Sequence, residues 1–273
     1  MPMAEVTLAA STRTNLLSLQ ETSSLISRTQ NRLSTQKKVN SALDNAQAFF
    51  QASNLTNRAS DLANLKDGVD QAISAVKAAT QGISAITDLV QQMKGLASSA
   101  KSTSDTSERS KLALQFDALR TQVTNLAADA SYKGTNLIKS AADSLTVTFD
   151  ENSTKKLTVS GTAMDSTGLT LTAAASSWGT DGNIDTATSL LDTALTTLRS
   201  TASTLGSNSS VLNIRLDFTK TLINTLQEGA GKLVNADMNE ESANLLALQT
   251  RQQLGTISLS LAQKSESSVL SLF

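Results

Sequence analysis

No cysteine and no histidine occur anywhere in the 273 residues. Disulfide frameworks, Cys/His zinc sites and cysteine nucleophiles are thereby excluded, and the commonest general base is missing. Proline is confined to Pro2, so no ring clash or absent amide interrupts a helix downstream. Aromatic residues make up 3% of the chain, as six Phe, one Tyr and one Trp. A core so poor in rings must be filled by Leu, Ile, Val and Ala, the composition of long packed helices. Charge is scarce too: charged residues are 17% and the net charge is −1. That leaves neither a basic field for nucleic acid nor a polyanionic tail. No run of about 18 apolar residues exists, so membrane insertion is not expected. The N-terminus lacks a basic segment followed by an apolar run, so no cleavable secretory signal is expected. Export routes that read the chain without cleaving it leave no such trace. With no Gly-rich phosphate loop and no convergent carboxylates, no cofactor, metal or catalytic residue is expected, and the chain does not read as an enzyme.

What is present is periodicity. Leu62, Leu65, Val69, Ala72, Val76, Ala79, Ile83, Ile86, Val90, Met93, Ala97 and Ala100 alternate steps of three and four without a break. This spacing places every one of them on a single helical seam. At about 1.5 Å per residue the seam spans roughly 57 Å. Gly68, Gly82 and Gly95 fall outside it, each at a cost of about 1 kcal/mol against Ala, so packing must hold this helix. A polar turn at Lys101 to Ser107 precedes a second stripe, Leu112, Phe116, Leu119, Val123, Leu126 and Ala130. Two such stripes joined by a short turn predict an antiparallel helical hairpin, ended by Tyr132-Lys133-Gly134-Thr135-Asn136.

The middle of the chain alternates instead. Leu145, Val147 and Phe149, then Leu157 and Val159, then Leu169 and Leu171 interleave with polar residues, the pattern of two or three short strands. Helix returns at Ile184, with Leu191, Leu198, Leu205 and Leu212 every seven residues. An irregularity is expected at Gly206 to Ser209, and a bend or break at Gly229 and Gly231. Trp178 reads as a packing residue, and Asp237, Glu240 and Glu241 as a helix N-terminal charge cluster rather than a metal site. Leu19, Ile26 and Leu33 recur near the start, and Leu254, Ile257 and Leu261 near the end, with an apolar finish of Val269, Leu270, Leu272 and Phe273. Neither end carries a wide enough apolar face to fold alone, so each needs a partner from this chain or another copy. The fold class is mainly α: a long antiparallel helical bundle or coiled coil with terminal helices and a small β-hairpin insert.

The ends carry specific residues. Arg32-Leu33-Ser34, then Val39-Asn40-Ser41-Ala42 with Asp44 and Ala46, resembles the N-terminal signature of bacterial flagellins (R-L-S-S-G, then I-N-S-A-x-D-D-A). Leu248-Gln249, Gln253, Gly255, Leu259, Leu261-Ala262-Gln263 and Val269-Leu270-Ser271-Leu272 resemble its C-terminal counterpart. The resemblance covers roughly the first 140 and last 90 residues, of a short, alphaproteobacterial-like kind. Two positions depart from it: Gln36 replaces the signature glycine, and Asn45 one of the paired aspartates. The segment around Gln92, Lys94 and Gly95 aligns with one that an innate-immune receptor recognises in some flagellins. There, two arginines and a glutamate stand in place of those three residues. Without the guanidiniums and the carboxylate, the bidentate and charge-assisted contacts are lost, which implies weak recognition.

The resemblance implies a structural subunit of the bacterial flagellar filament, exported unfolded and self-assembling through coiled-coil terminal helices into the motility propeller. Residues 1–41 with 234–273 would form the polymer core, 42–140 with 180–233 a helical rod, and 141–179 the β insert. The implied polymer interface comprises Arg32, Leu33, Asn40, Asp44, Gln249, Gln253, Gly255, Leu261, Gln263, Leu270 and Leu272. Implied partners are further copies of the chain, the type III export apparatus with its flagellin chaperone, the filament cap and the hook-junction proteins; the implied location is the extracellular filament. A hook–filament junction protein, a soluble coiled-coil signalling fragment and an enzyme are the alternatives.

Overall fold

The computed structural model describes residues 10–270, with side chains from 12 to 265. Among the described residues five helices run in chain order, α1 (Ala10–Thr35), α2 (Ala42–Ser102), α3 (Thr106–Asp129), α4 (Asp181–Val234) and α5 (Met238–Leu270). Between α3 and α4 lie strands β1 (Ser144–Thr148) and β2 (Lys156–Ser160) and a short 3-10 turn, Ala175–Trp178. The chain divides into two compact units, residues 58–224 and residues 1–57 with 225–273.

In the larger unit the predicted seam of α2 is the core. From Leu62 to Ala100 every member is buried except Leu65, which is half-buried. It faces Leu191, Leu198, Leu205 and Leu212 of α4 and Phe116 and Val123 of α3. Lys94 meets Asp192 at 2.5 Å, and Lys101 meets Asp185. The two pairs lie one heptad apart on each helix in opposite senses, so α2 and α4 are antiparallel. Such exposed pairs contribute little stability but fix register. The α2–α3 turn closes on Arg109, 8% exposed. Its Nε donates to the carbonyls of Thr103 at 2.7 Å and Ala100 at 3.1 Å, and Nη2 to Asp181 at 2.6 Å. Asp105 caps α3 by accepting from the Ser107 amide.

Asn136, 2% exposed, ends the helical hairpin. Its Nδ2 donates to the carbonyls of Ala127 and Ala128, and its Oδ1 accepts from the amides of Ile138 and Lys139. One amide thus satisfies the open end of α3 and folds the loop that drives Leu137 and Ile138 into the core. Gly82 has its reason here: a Cβ on it would lie 2.7 Å from both Ala130 Cβ and Ile138 Cδ1.

β1 and β2 pair antiparallel from Ser144 opposite Ser160 to Thr148 opposite Lys156, with Val147 and Val159 inward. Of the two or three short strands expected, two form, and Leu169 and Leu171 make no third. Both leucines are buried from a tight turn, their amides bonded to the carbonyls of Asp165 and Ser166. Alternation there reflects two plugs set into the core by local turns, not a pleat. Trp178 is fully buried, its ring edge-on to Phe116 at 4.9 Å.

The irregularities expected in α4 are absent as well: the helix runs unbroken through Gly206, Gly229 and Gly231 to Val234. Leu205 and Leu212 seat the helix on either side of Gly206, and their packing outweighs a propensity cost of about 1 kcal/mol per glycine.

In the smaller unit α1 packs on α5. Arg32 lies opposite Glu241 and Leu19 opposite Gly255, so the helices are antiparallel. Ile26, Thr22 and Thr29 are buried between them, and the Thr22 hydroxyl is satisfied by the Ser18 carbonyl. After α1 the backbone at Gln36–Val39 bonds to Val234 and Ala236, with an antiparallel bridge between Lys37 and Asn235. Gln36 itself sits at φ +59, the left-handed conformation in which glycine commonly ends a helix. A non-glycine residue is disfavoured there by about 1 kcal/mol or more. Gln36→Gly is therefore expected to stabilise the fold by about 0.5–1 kcal/mol, the gain reduced by glycine's extra freedom in the unfolded chain. Chemical denaturation of the two chains measures it; a destabilised variant would show the strain is not real.

Candidate polymer interface

The sequence-predicted residues of the smaller unit fall into three groups. The first is an intramolecular lock. Arg32 Nη1 donates to Glu241 Oε1 at 2.8 Å, joining α1 to α5, and Glu241 is 7% exposed. Glu241 was legible only as part of a charge cluster, whereas the structure gives it this partner. Asp237 of the same cluster caps α5, its Oδ1 accepting from the Asn239 and Glu240 amides. Leu33 is half-buried beside the lock.

The second group shapes the entry to α2. Asp44 Oδ2 accepts from the amides of Asn40 and Ser41 at 2.9 and 3.0 Å and from the Ser41 hydroxyl. The Asn40 amide first, then that of Ser41, hold the Asp44 carboxyl below the usual carboxylate range. Asn45 is extended, with φ −162 and ψ 99, and its Oδ1 accepts from the Ala48 amide at 3.0 Å. A neutral Asn caps a helix as well as Asp does, so this departure from the signature preserves the local structure.

The third group faces outward along α5. Gln249, Gln253 and Gln263 are exposed, and Leu254, Ile257 and Leu261 are 62%, 65% and 68% exposed. Leu246 on α5 and Leu17 on α1, both 67% exposed, extend the apolar surface; the heptad reading of the ends did not include either one. Gly255 faces α1 instead, where a Cβ would come within 2.7 Å of Leu19 Cδ2. It serves close helix approach within the chain. The side chain of Leu270, and Leu272 altogether, lie outside the described residues. In the other unit, Gln92 is exposed on α2, Lys94 is engaged by Asp192, and Gly95 has open space where a Cβ would stand.

Two long helices ending a chain, locked to each other yet leaving an apolar row bare, suit a subunit that finishes folding against its neighbours. The family comparisons agree. The family model of the bacterial flagellin N-terminal helical region matches residues 6–143, and that of the C-terminal helical region matches residues 188–273. The chain belongs to the flagellin family. Flagellin FljM of Caulobacter vibrioides is 36% identical over 259 residues, covering 94% of each chain. The flagellin of Brucella melitensis is 31% identical over 281 residues, covering 99% of each. A crystal structure of Bacillus cereus flagellin superposes with a TM-score of 0.49 at 19% identity, over 56% of this chain and 88% of that one. Flagellins are structural proteins, and this chain is a structural subunit of the bacterial flagellar filament that polymerises with itself. Both strands and Trp178 lie between the two matched regions.

Proposed function

We propose that residues 1–41 and 234–273 form the core of the polymer, with 42–140 and 180–233 as a helical rod around it and 141–179 as an outer insert. The observation that carries this reading is the bare row Leu254, Ile257 and Leu261 on α5. Isolated apolar side chains on a surface need no explanation, but a continuous row on a terminal helix calls for a covering partner. Copies related by a repeating, non-closing contact supply that partner at every step of an open helix. Arg32, Leu33, Asn40 and Asp44 hold the terminal helices in register, and Gln249, Gln253 and Gln263 bond between copies. Folding on binding makes growth depend on an existing end. Before assembly the chain leaves the cell unfolded through the type III export apparatus, delivered by its flagellin chaperone. It then adds beneath the filament cap to a filament begun on the hook-junction proteins, outside the cell.

Seeded polymerisation of purified monomer, read by sedimentation and negative-stain microscopy, tests the reading. Long filaments are expected. A folded dimer that never pellets would instead establish the soluble coiled coil.

A further inference from the structure

The smaller unit carries charge that its own contacts leave unmatched. Between α1 and α5 lies a cavity of about 340 Å³ lined by Arg28, Arg32, Arg251 and Glu241, together with Leu25 and Leu248. Glu241 answers Arg32. Arg28 and Arg251 are exposed and have no carboxylate within ion-pair distance among the described residues. At the start of α5 a second cavity carries the carboxylates of Asp44, Asp237, Glu240 and Glu241 together with the cations of Arg32, Lys38 and Lys232. Asp44 and Asp237 are occupied by backbone amides and Glu241 by Arg32. Glu240 is exposed and accepts from no side chain among the described residues. One helix pair thus presents a basic cavity with two free guanidiniums and, displaced along its axis, a free carboxylate.

Resting on the reading of this unit as the polymer core, we propose that Arg28 and Arg251 receive Glu240 of a second copy. Two guanidiniums carried into a polymer core without a counter-charge would meet a desolvation penalty that attraction must offset. Arginine's planar fork suits a carboxylate arriving from outside. Because each copy carries both the basic cavity and the free acid at different heights, a staggered neighbour satisfies the first and offers its own cavity to the next. The contact is heterologous and does not close. It sets stagger and polarity, while the apolar row on α5 supplies burial.

The test uses full-length chains on preformed seeds. Arg28→Glu with Arg251→Glu, and separately Glu240→Lys, are each expected to fail to elongate while the monomer keeps its helix content. Mixed, the two are expected to co-pellet, since the exchanged charges match again. A milder pair, Arg28→Gln with Arg251→Gln, should raise the critical concentration about tenfold, the usual worth of a close interfacial charge pair. It should also make the critical concentration less sensitive to salt than that of the unaltered chain. Elongation of either Arg28/Arg251 variant like the unaltered chain overturns the inference and leaves the polymer reading standing. Charge-reversed chains that fail alone and also fail together overturn Glu240 as the occupant, and the inference with it. If the unaltered chain itself does not grow on seeds, the polymer reading falls and takes the inference along.

Discussion

Replacing Leu254, Ile257 and Leu261 together by serine is expected to abolish filament growth and to leave the monomer's melting temperature nearly unchanged. All three side chains are about two-thirds exposed in the isolated chain, so the monomer loses little contact and each change should fall within about 0.5 kcal/mol. On assembly the exposed part of each is covered. Full burial of a Leu or Ile is worth about 1.5–3 kcal/mol; scaled to the exposed fraction, the three contribute about 3–6 kcal/mol. Every 1.4 kcal/mol is a factor of ten in affinity, so the critical concentration should rise by roughly two to four orders of magnitude. Sedimentation across a concentration series reads this directly. Growth at the unaltered critical concentration would mean that the row on α5 stays wet in the filament.

The second large effect lies in the other unit. Asn136→Ala is expected to destabilise residues 58–224 by about 3 kcal/mol, since four hydrogen bonds of roughly 0.5–1.5 kcal/mol each are lost. Ile138 is fully buried, so its amide would be left without water as well as without Asn136. For a unit of this size, 1 kcal/mol corresponds to a shift of about 2–4 °C, giving a fall of about 6–12 °C. Thermal unfolding followed by the fluorescence of Trp178, which is buried in the same unit, isolates it from the terminal helices. Asn136→Asp keeps the acceptor for the Ile138 and Lys139 amides but sets a buried carboxylate oxygen against the Ala127 and Ala128 carbonyls, so it should destabilise at least as much as alanine. An unchanged melting temperature in the alanine chain would show that water replaces the amide.

The two effects separate according to what each part of the sequence reveals. The α2 seam was legible because twelve apolar residues in strict three-four alternation admit one structure, a helix with one covered face. The outward row on α5 was legible for the same reason, and its exposure turns it from a folding feature into an assembly feature. Asn136 was visible only as one more turn residue. Its importance depends on α3 ending with its carbonyls aimed at that point, which no local pattern encodes. Gln36 and Asn45 look like equivalent departures from the family signature. The structure separates them: Asn45 keeps the helix cap, whereas Gln36 occupies a left-handed position made for glycine.

Short-range chemistry therefore determined the helices, their faces, the α2–α3 turn and the first two strands, because periodicity and capping act over a few residues. Tertiary structure decided what spans the chain. It joined Arg32 to Glu241 across 209 residues, carried α4 straight through its glycines, and turned the alternating Leu169 and Leu171 into plugs rather than a strand. It also left Arg28 and Arg251 without a carboxylate partner among the described residues. In each case the deciding energy comes from burial and pairing between segments distant in sequence, and the residues concerned do not carry that information locally.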